Sequence, residues 1–192
     1  MVGCPDNTQL RELDLTSIVS NLETRYAADE IYTSTANVLL SVNPYKVIPG
    51  LYSSTTQAKY RGKPQGSQPP HPFAIADAAY RSLLSERRSQ SILISGESGA
   101  GKTETAKVLI EFLASAAKDQ HIYKRVLQTT PILESFGNAQ TVRNHNSSRF
   151  GKYHRLWFDE SNALVGAEVQ PFLLESSRVT TVAPGERNFH VF

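Results

Sequence analysis

Cysteine is nearly absent from this chain of 192 residues. Cys4 stands alone, which excludes an internal disulfide and suits a reducing compartment. No apolar run approaches the roughly 18 residues that a membrane-spanning helix needs. The opening MVGCPDNTQL lacks the apolar core of a secretory signal, and its glycine is one place too late for the usual myristoylation pattern. Neither sign of charge dominates: 20 Lys+Arg stand against 18 Asp+Glu, with no basic run, so a nucleic-acid footprint is missing. Repeats and low-complexity tracts are missing as well. The expectation is a soluble, intracellular globular chain, with room for one ordinary domain.

What is present alternates between strand-like and helix-like segments. ANVLLSV before NPYK reads as a short buried strand ending in a turn. RGKPQGSQPPHP, residues 61–72, reads as a loop. Phe73, Ala76, Tyr80, Leu83 and Leu84 then follow helical spacing. SILIS reads as a buried strand. Ala106, Leu109, Ile110, Leu113 and Ala117 mark a further helix, and the region of Val126 and Leu127 another. Thr130-Pro131 reads as the start of a separate short helix through Ser135 that Gly137 ends. YHRLWF, the polar DESN and ALVGAEV read as a β-hairpin. The mix points to an α/β protein.

Between SILIS and the helix after it lies GESGAGKT, Gly96 to Thr103, a full match to G-x-x-x-x-G-K-[ST] in the strand–loop–helix context the motif needs. Its chemistry follows from its residue types. Gly96, Gly99 and Gly101 let the backbone wrap closely around phosphate. Successive amides, including those of Glu97, Ser98 and Ala100, form an anion nest at a helix N-terminus. Lys102 is placed to reach β- and γ-phosphate oxygens, and the Thr103 hydroxyl to hold Mg²⁺.

Downstream, NAQTVRNHNSSRFGKY spans residues 138–153. Such an Asn- and Ser-rich run is usually a solvated loop. Beside a phosphate loop it also suits a second element that senses the γ-phosphate, because short amides and hydroxyls meet oxygen without adding charge. Other residues carry plainer readings. His121, His145, His154 and His190 lack metal-ligand spacing. Glu97 and Glu104 do not form an acid/base pair, Trp157 is a packing residue and Cys4 an inert thiol.

GESGAGKTE followed by NHNSSRFGK resembles the P-loop and switch I of myosin motor heads. NPYK is similar to the purine-binding loop of that family, and YRGK, PPHPFAIADAAYRSLL, SQSILIS, ILESFGNAQTVRN, FLLESSRV and PGERNFHVF resemble its other segments, in the family's order, over residues 9–192. The resemblance implies an α/β fold: a partial P-loop NTPase core of the myosin type, with an incomplete central sheet, over the whole of residues 1–192. It implies that Asn43, Pro44, Tyr45 and Tyr52 lie at the adenine and that Asn144 contacts phosphate. Ser147 would stand by the γ-phosphate and attacking water, Ser148 and Thr103 would hold Mg²⁺, and Arg149 would close the site on a switch II glutamate. The implied activity is Mg²⁺-dependent ATP hydrolysis coupled to force on actin filaments, in the cytoplasm with the cytoskeleton.

Departures from the family pattern are specific. IPGLY has one residue more than the usual LPIY, KTETAK replaces KTENTK, and Ser176 stands where Lys is usual. The connection around Lys118, Asp119 and Gln120 is short for the family's loop 1. No switch II motif follows switch I, which leads to the expectation of a part of a head. Such a part would turn over ATP slowly if at all, Arg149 would be exposed or loosely paired, and SILIS would have open edges. A non-catalytic nucleotide-binding protein built on the front of a motor head stays open as an alternative. A kinesin-like motor fits less well, because Phe150 and Gly151 follow SSR where kinesins have Ser-His.

Overall fold

The computed structural model describes residues 2–115 and 121–192, with side chains described for these apart from 121–123. The chain divides into two compact units: Met1–Ser95 with Ala100–Phe112, and Gly96–Gly99 with Leu113–Phe192. The architecture is mixed α/β, with three separate two-stranded sheets among the described residues.

In the first unit, α1 (Leu15–Tyr26) starts at Asp14, whose carboxylate accepts from the Ser17 amide. β1 (Tyr32–Thr35) and β2 (Val38–Ser41) form an antiparallel hairpin with Tyr32 opposite Ser41. Arg25 is 4% exposed. Its guanidinium donates to Thr33 Oγ1 and to the carbonyls of Val2 and Tyr32, which ties α1, the hairpin and the N-terminal segment together. α2 (Ser54–Tyr60) is capped by Ser53. α3 (Pro72–Glu86) opens with Pro72 in the first turn, where its missing N–H costs nothing, and ends at Arg87 in the left-handed region, φ 53°. Phe73 stacks on Phe112 of α4 (Lys102–Ala114) at 4.9 Å between ring centroids, and Tyr60 on His71 at the same separation. Phe73, Phe112, Ala76, Tyr60 and Tyr32 form this core. Leu109 and Ile110 of α4 are buried as their spacing predicts. Ala117, predicted on the same helix, and the short connection at Lys118, Asp119 and Gln120 lie outside the described residues.

In the second unit, α5 (His121–Gly137) is one continuous helix with Pro131 inside it. This corrects the expectation of a new helix starting at Thr130-Pro131. Packing of α5 on β6 (Leu164–Phe172) outweighs the loss of one backbone bond at proline. The helix does end at Gly137, where a β-carbon would run into the Phe150 ring. β3 (Asn138–Ala139) pairs antiparallel with β4 (Ser147–Ser148). β5 (Gly151–Phe158) pairs antiparallel with β6, as the hairpin reading requires, with a register irregularity at Trp157 and Phe158. Asp159 closes its turn by accepting from the Ala163 amide. Phe189, 3% exposed, forms an isolated bridge to Ala139.

Two strand readings are corrected. ANVLLSV does form β2, but Val38 is 60% exposed, because a two-stranded ribbon has no second layer on that side. SILIS is not a strand: residues 91–95 belong to no sheet among the described residues, and Leu93 is 92% exposed. Strand propensity alone makes no strand without a neighbour to receive its backbone bonds.

His71 provides a test of the first unit's core. Its Nδ1 accepts from the Phe73 amide while Nε2 faces the Leu51 carbonyl, so the neutral ring with its proton on Nε2 fits both. Burial lowers its pKa from 6.5 to about 4. The fold thus binds fewer protons than the unfolded chain, and the stabilisation is fully present above pH 6.5 and is lost as pH falls toward 4. The amount is about 3 kcal/mol. Burial lowers His154 in the same direction. We expect the melting temperature to fall between pH 7 and pH 4.5, and to fall less in His71→Asn, which keeps a capping acceptor without the titration. Equal pH dependence in both proteins would contradict this account.

Candidate phosphate site

The glycine loop is formed where the motif places it. Gly99 and Gly101 take φ of 84° and 95°, a region costly for any residue with a β-carbon. α4 begins at Lys102, and the Thr105 amide already donates to the Gly101 carbonyl, so the loop leads straight into a helix N-terminus. Lys102 and Thr103 occupy the first two positions of α4 and are half-buried. Glu97 is solvent-facing and pairs with Arg143 at 3.6 Å.

Within the second unit, the Asn- and Ser-rich run folds back onto the start of this loop. The β3–β4 pairing sets Asn138 opposite Ser148 and Ala139 opposite Ser147. The turn between them is held by reciprocal bonds of Thr141 and Asn144. Ser147 is fully buried, and its hydroxyl lies 2.9 Å from that of Ser98. Asn144 Nδ2 reaches the same Ser98 hydroxyl at 3.4 Å. Ser98, Asn144 and Ser147 are therefore brought together. Asn138 Oδ1 is buried without a hydrogen-bond partner among the described residues.

Arg149 corrects an expectation. It is neither exposed nor loosely held: its side chain is 29% exposed and its Nε donates to Glu175 Oε2 at 2.6 Å. Its Nη1 donates to Ser147 Oγ at 3.2 Å. Glu175 is shared, since Arg178 Nε also donates to Oε2, at 2.8 Å. Arg178, 4% exposed, reaches on to Glu186 Oε2 at 2.8 Å and to the Arg187 carbonyl. Hydrogen bonds from Arg149 and then Arg178 hold the Glu175 carboxyl below the usual carboxylate range. The same contacts raise Arg178 further. Glu175, Arg178 and Glu186 escape a reading of the sequence. The Glu–Arg spacing in LLESSR hints at a pair, but nothing local connects Glu175 to an arginine 26 residues earlier.

The purine-loop candidates lie in the first unit. Asn43 Oδ1 accepts from the Tyr45 amide, which fixes a tight turn over Pro44 and leaves Tyr45 83% exposed. The Tyr52 hydroxyl is 2.5 Å from that of Tyr32, and its ring lies 5.8 Å from His71. Tyr52 thus belongs to the rim of the aromatic core. No cluster of three His, Cys, Asp or Glu side chains suited to a metal occurs among the described residues. No helix among them is long and apolar enough to cross a membrane.

The chain is similar to known proteins along nearly all of its length. Residues 4–192 match the family described as "Myosin head (motor domain)". The chain is 50% identical to "Myosin-13", 49% to "Myosin-6" and 48% to "Myosin-7", all of Arabidopsis thaliana. These alignments cover 99%, 99% and 100% of this chain, but only 13%, 13% and 11% of the relatives.

The loop geometry is testable by a single methyl. Among the described residues, no atom beyond the chain neighbours of Gly101 lies within 4 Å of a β-carbon built there, so Gly101→Ala is expected to meet backbone strain alone. The expected cost is about 1–2 kcal/mol in urea unfolding. A variant as stable as the parent would show that the loop does not hold this conformation.

Proposed function

The chain belongs to the myosin head family, and we propose that it is the ATP-binding part of an actin-based motor ATPase. It spans 13% or less of the length of the relatives above, so the whole motor's activity is inferred rather than carried by these residues alone. The observation that carries the reading is the hydroxyl pair Ser98–Ser147, which joins the phosphate loop to the second element, with Asn144 on the same hydroxyl. Backbone amides of Gly96, Glu97, Ser98, Gly99, Ala100 and Gly101 cradle the phosphates. Lys102 supplies the compact positive charge for their oxygens. Asn43, Pro44, Tyr45 and Tyr52 take the adenine end, and Asn144 a phosphate oxygen.

The hydroxyls of Thr103 and Ser148 are hard oxygen donors, the class that Mg²⁺ takes, and no thiol or imidazole competes in that set. When bound with ATP, Mg²⁺ offsets the charge on the phosphate oxygens. Phosphoryl transfer to water asks little covalent chemistry of a protein, so the residues act by placement and charge. Ser147 orients groups at the γ-phosphate, and Arg149 holds the second element closed over them.

On this reading residues 1–192 are a stretch of one motor domain, a partial P-loop NTPase core whose central sheet is completed by strands outside it. The SILIS segment, which joins no sheet among the described residues and leaves Leu93 in solvent, fits such a role. The parent motor works on actin filaments in the cytoplasm, and the surfaces for that partner lie mostly elsewhere in it.

Titration with a fluorescent ATP analogue in Mg²⁺ buffer tests the reading. We expect saturable binding by the chain and a loss of about tenfold or more in Lys102→Ala, as removal of a charged hydrogen-bonding partner implies. No binding, or equal binding by the variant, would defeat the assignment.

A further inference from the structure

We propose that Glu175 is a positioning residue for the phosphate site: it aims Arg149 so that Ser147 is fixed as a hydrogen donor toward the γ-phosphate position. The inference rests on the phosphate-site reading above and adds a residue that the reading does not include.

The argument follows the direction of the hydrogen bonds. A guanidinium only donates. Arg149 Nε is spent on Glu175 Oε2 and Nη1 on Ser147 Oγ. Ser147 Oγ therefore accepts from Arg149, and its own proton points away from Arg149. In this structure that proton has the Ser98 hydroxyl 2.9 Å away to receive it. Asn144 Nδ2 donates to Ser98 as well, which leaves Ser98 one further lone pair for the Ser147 proton, and either hydroxyl of the pair can supply the hydrogen between them. An ionised phosphate oxygen only accepts, so one offered in place of Ser98 would have to meet the Ser147 proton. Ser147 is buried, so water cannot reorient its hydroxyl freely.

The guanidinium holds this aim only if its Nε side is fixed, and Glu175 does that. Its carboxylate is itself anchored, since Arg178 donates to the same oxygen and is held in turn by Glu186 and the Arg187 carbonyl. The Glu175 amide also donates to the Arg149 carbonyl at 3.0 Å, so the two residues are clasped by backbone and by side chain. Arg149 Nη2 has no partner among the described residues. A second carboxylate can therefore join the terminal edge of Arg149 while Glu175 keeps Nε, so the standing partner need not be displaced.

The test compares Mg·ADP with the magnesium complex of a non-hydrolysable ATP analogue, by calorimetry on the chain. Only the analogue has a γ-phosphate. We expect Glu175→Gln to weaken the analogue about tenfold and ADP less than twofold, with Glu175→Asp recovering most of the loss. Equal weakening of both nucleotides together with a lowered melting temperature would mean a merely structural role and would overturn the proposal, as would no change in either. Ser147→Ala removes the recipient and leaves the ion pair intact. The same selective loss is expected there, and unchanged analogue affinity would overturn the proposal even if Glu175→Gln failed to fold. Absence of nucleotide binding by the parent chain, or an unaffected Lys102→Ala, would instead bring down the phosphate-site reading and this inference with it.

Discussion

A guanidinium removed from water must have its donors met, and leaving one buried without a partner costs about 3–5 kcal/mol. Both units are organised around that constraint. In the first, Arg25 gathers a hydroxyl and two backbone carbonyls, and so binds the N-terminal segment, α1 and the β1–β2 hairpin into one body. In the second, Arg178 and Arg149 converge on one carboxylate, Glu175. Glu175 draws the segment after β6 back onto the segment after β4, and Arg178 ties that later segment together through Glu186 and the Arg187 carbonyl. The candidate phosphate site inherits its geometry from that closure.

Short polar side chains then finish what the arginines begin. Ser147 is buried between Arg149 and Ser98, and β3 and β4 are only two residues each, too short to stand without these side-chain contacts. Apolar burial matters more in the first unit, where Phe73 and Phe112 stack beneath α3 and α4. What burial does not reach is equally informative. Leu93 and Val38 stay in solvent, although their segments have the composition of buried strands. Backbone groups along residues 91–95 have no strand beside them among the described residues, and such an edge favours association with another chain.

Much of this was legible in the sequence where the signal is local. The glycine loop and the helix after it follow from residue types at fixed spacing, and so do α3 and the β5–β6 hairpin. The sequence misled where a long-range partner decides. Pro131 looks like a helix start, yet α5 runs through it because the helix has β6 to pack on. SILIS looks like a strand, yet strands exist only in pairs. Arg149 looks unpartnered, because Glu175 is remote along the chain and gives no sign there of facing it. Membership of the myosin head family was legible for the opposite reason: its motifs are contiguous, and their order runs the length of the chain.

The central claim is that Gly96 to Thr103 and the Asn144–Arg149 stretch hold the phosphates of one nucleotide. Backbone amide NMR shifts followed during a Mg·ATP titration address it most directly, because the nest is made of amides. The account predicts large, saturable shifts concentrated at residues 96–103 and 144–149, with the other loops little changed. Shifts scattered over the surface, or confined to residues outside those two stretches, would contradict it.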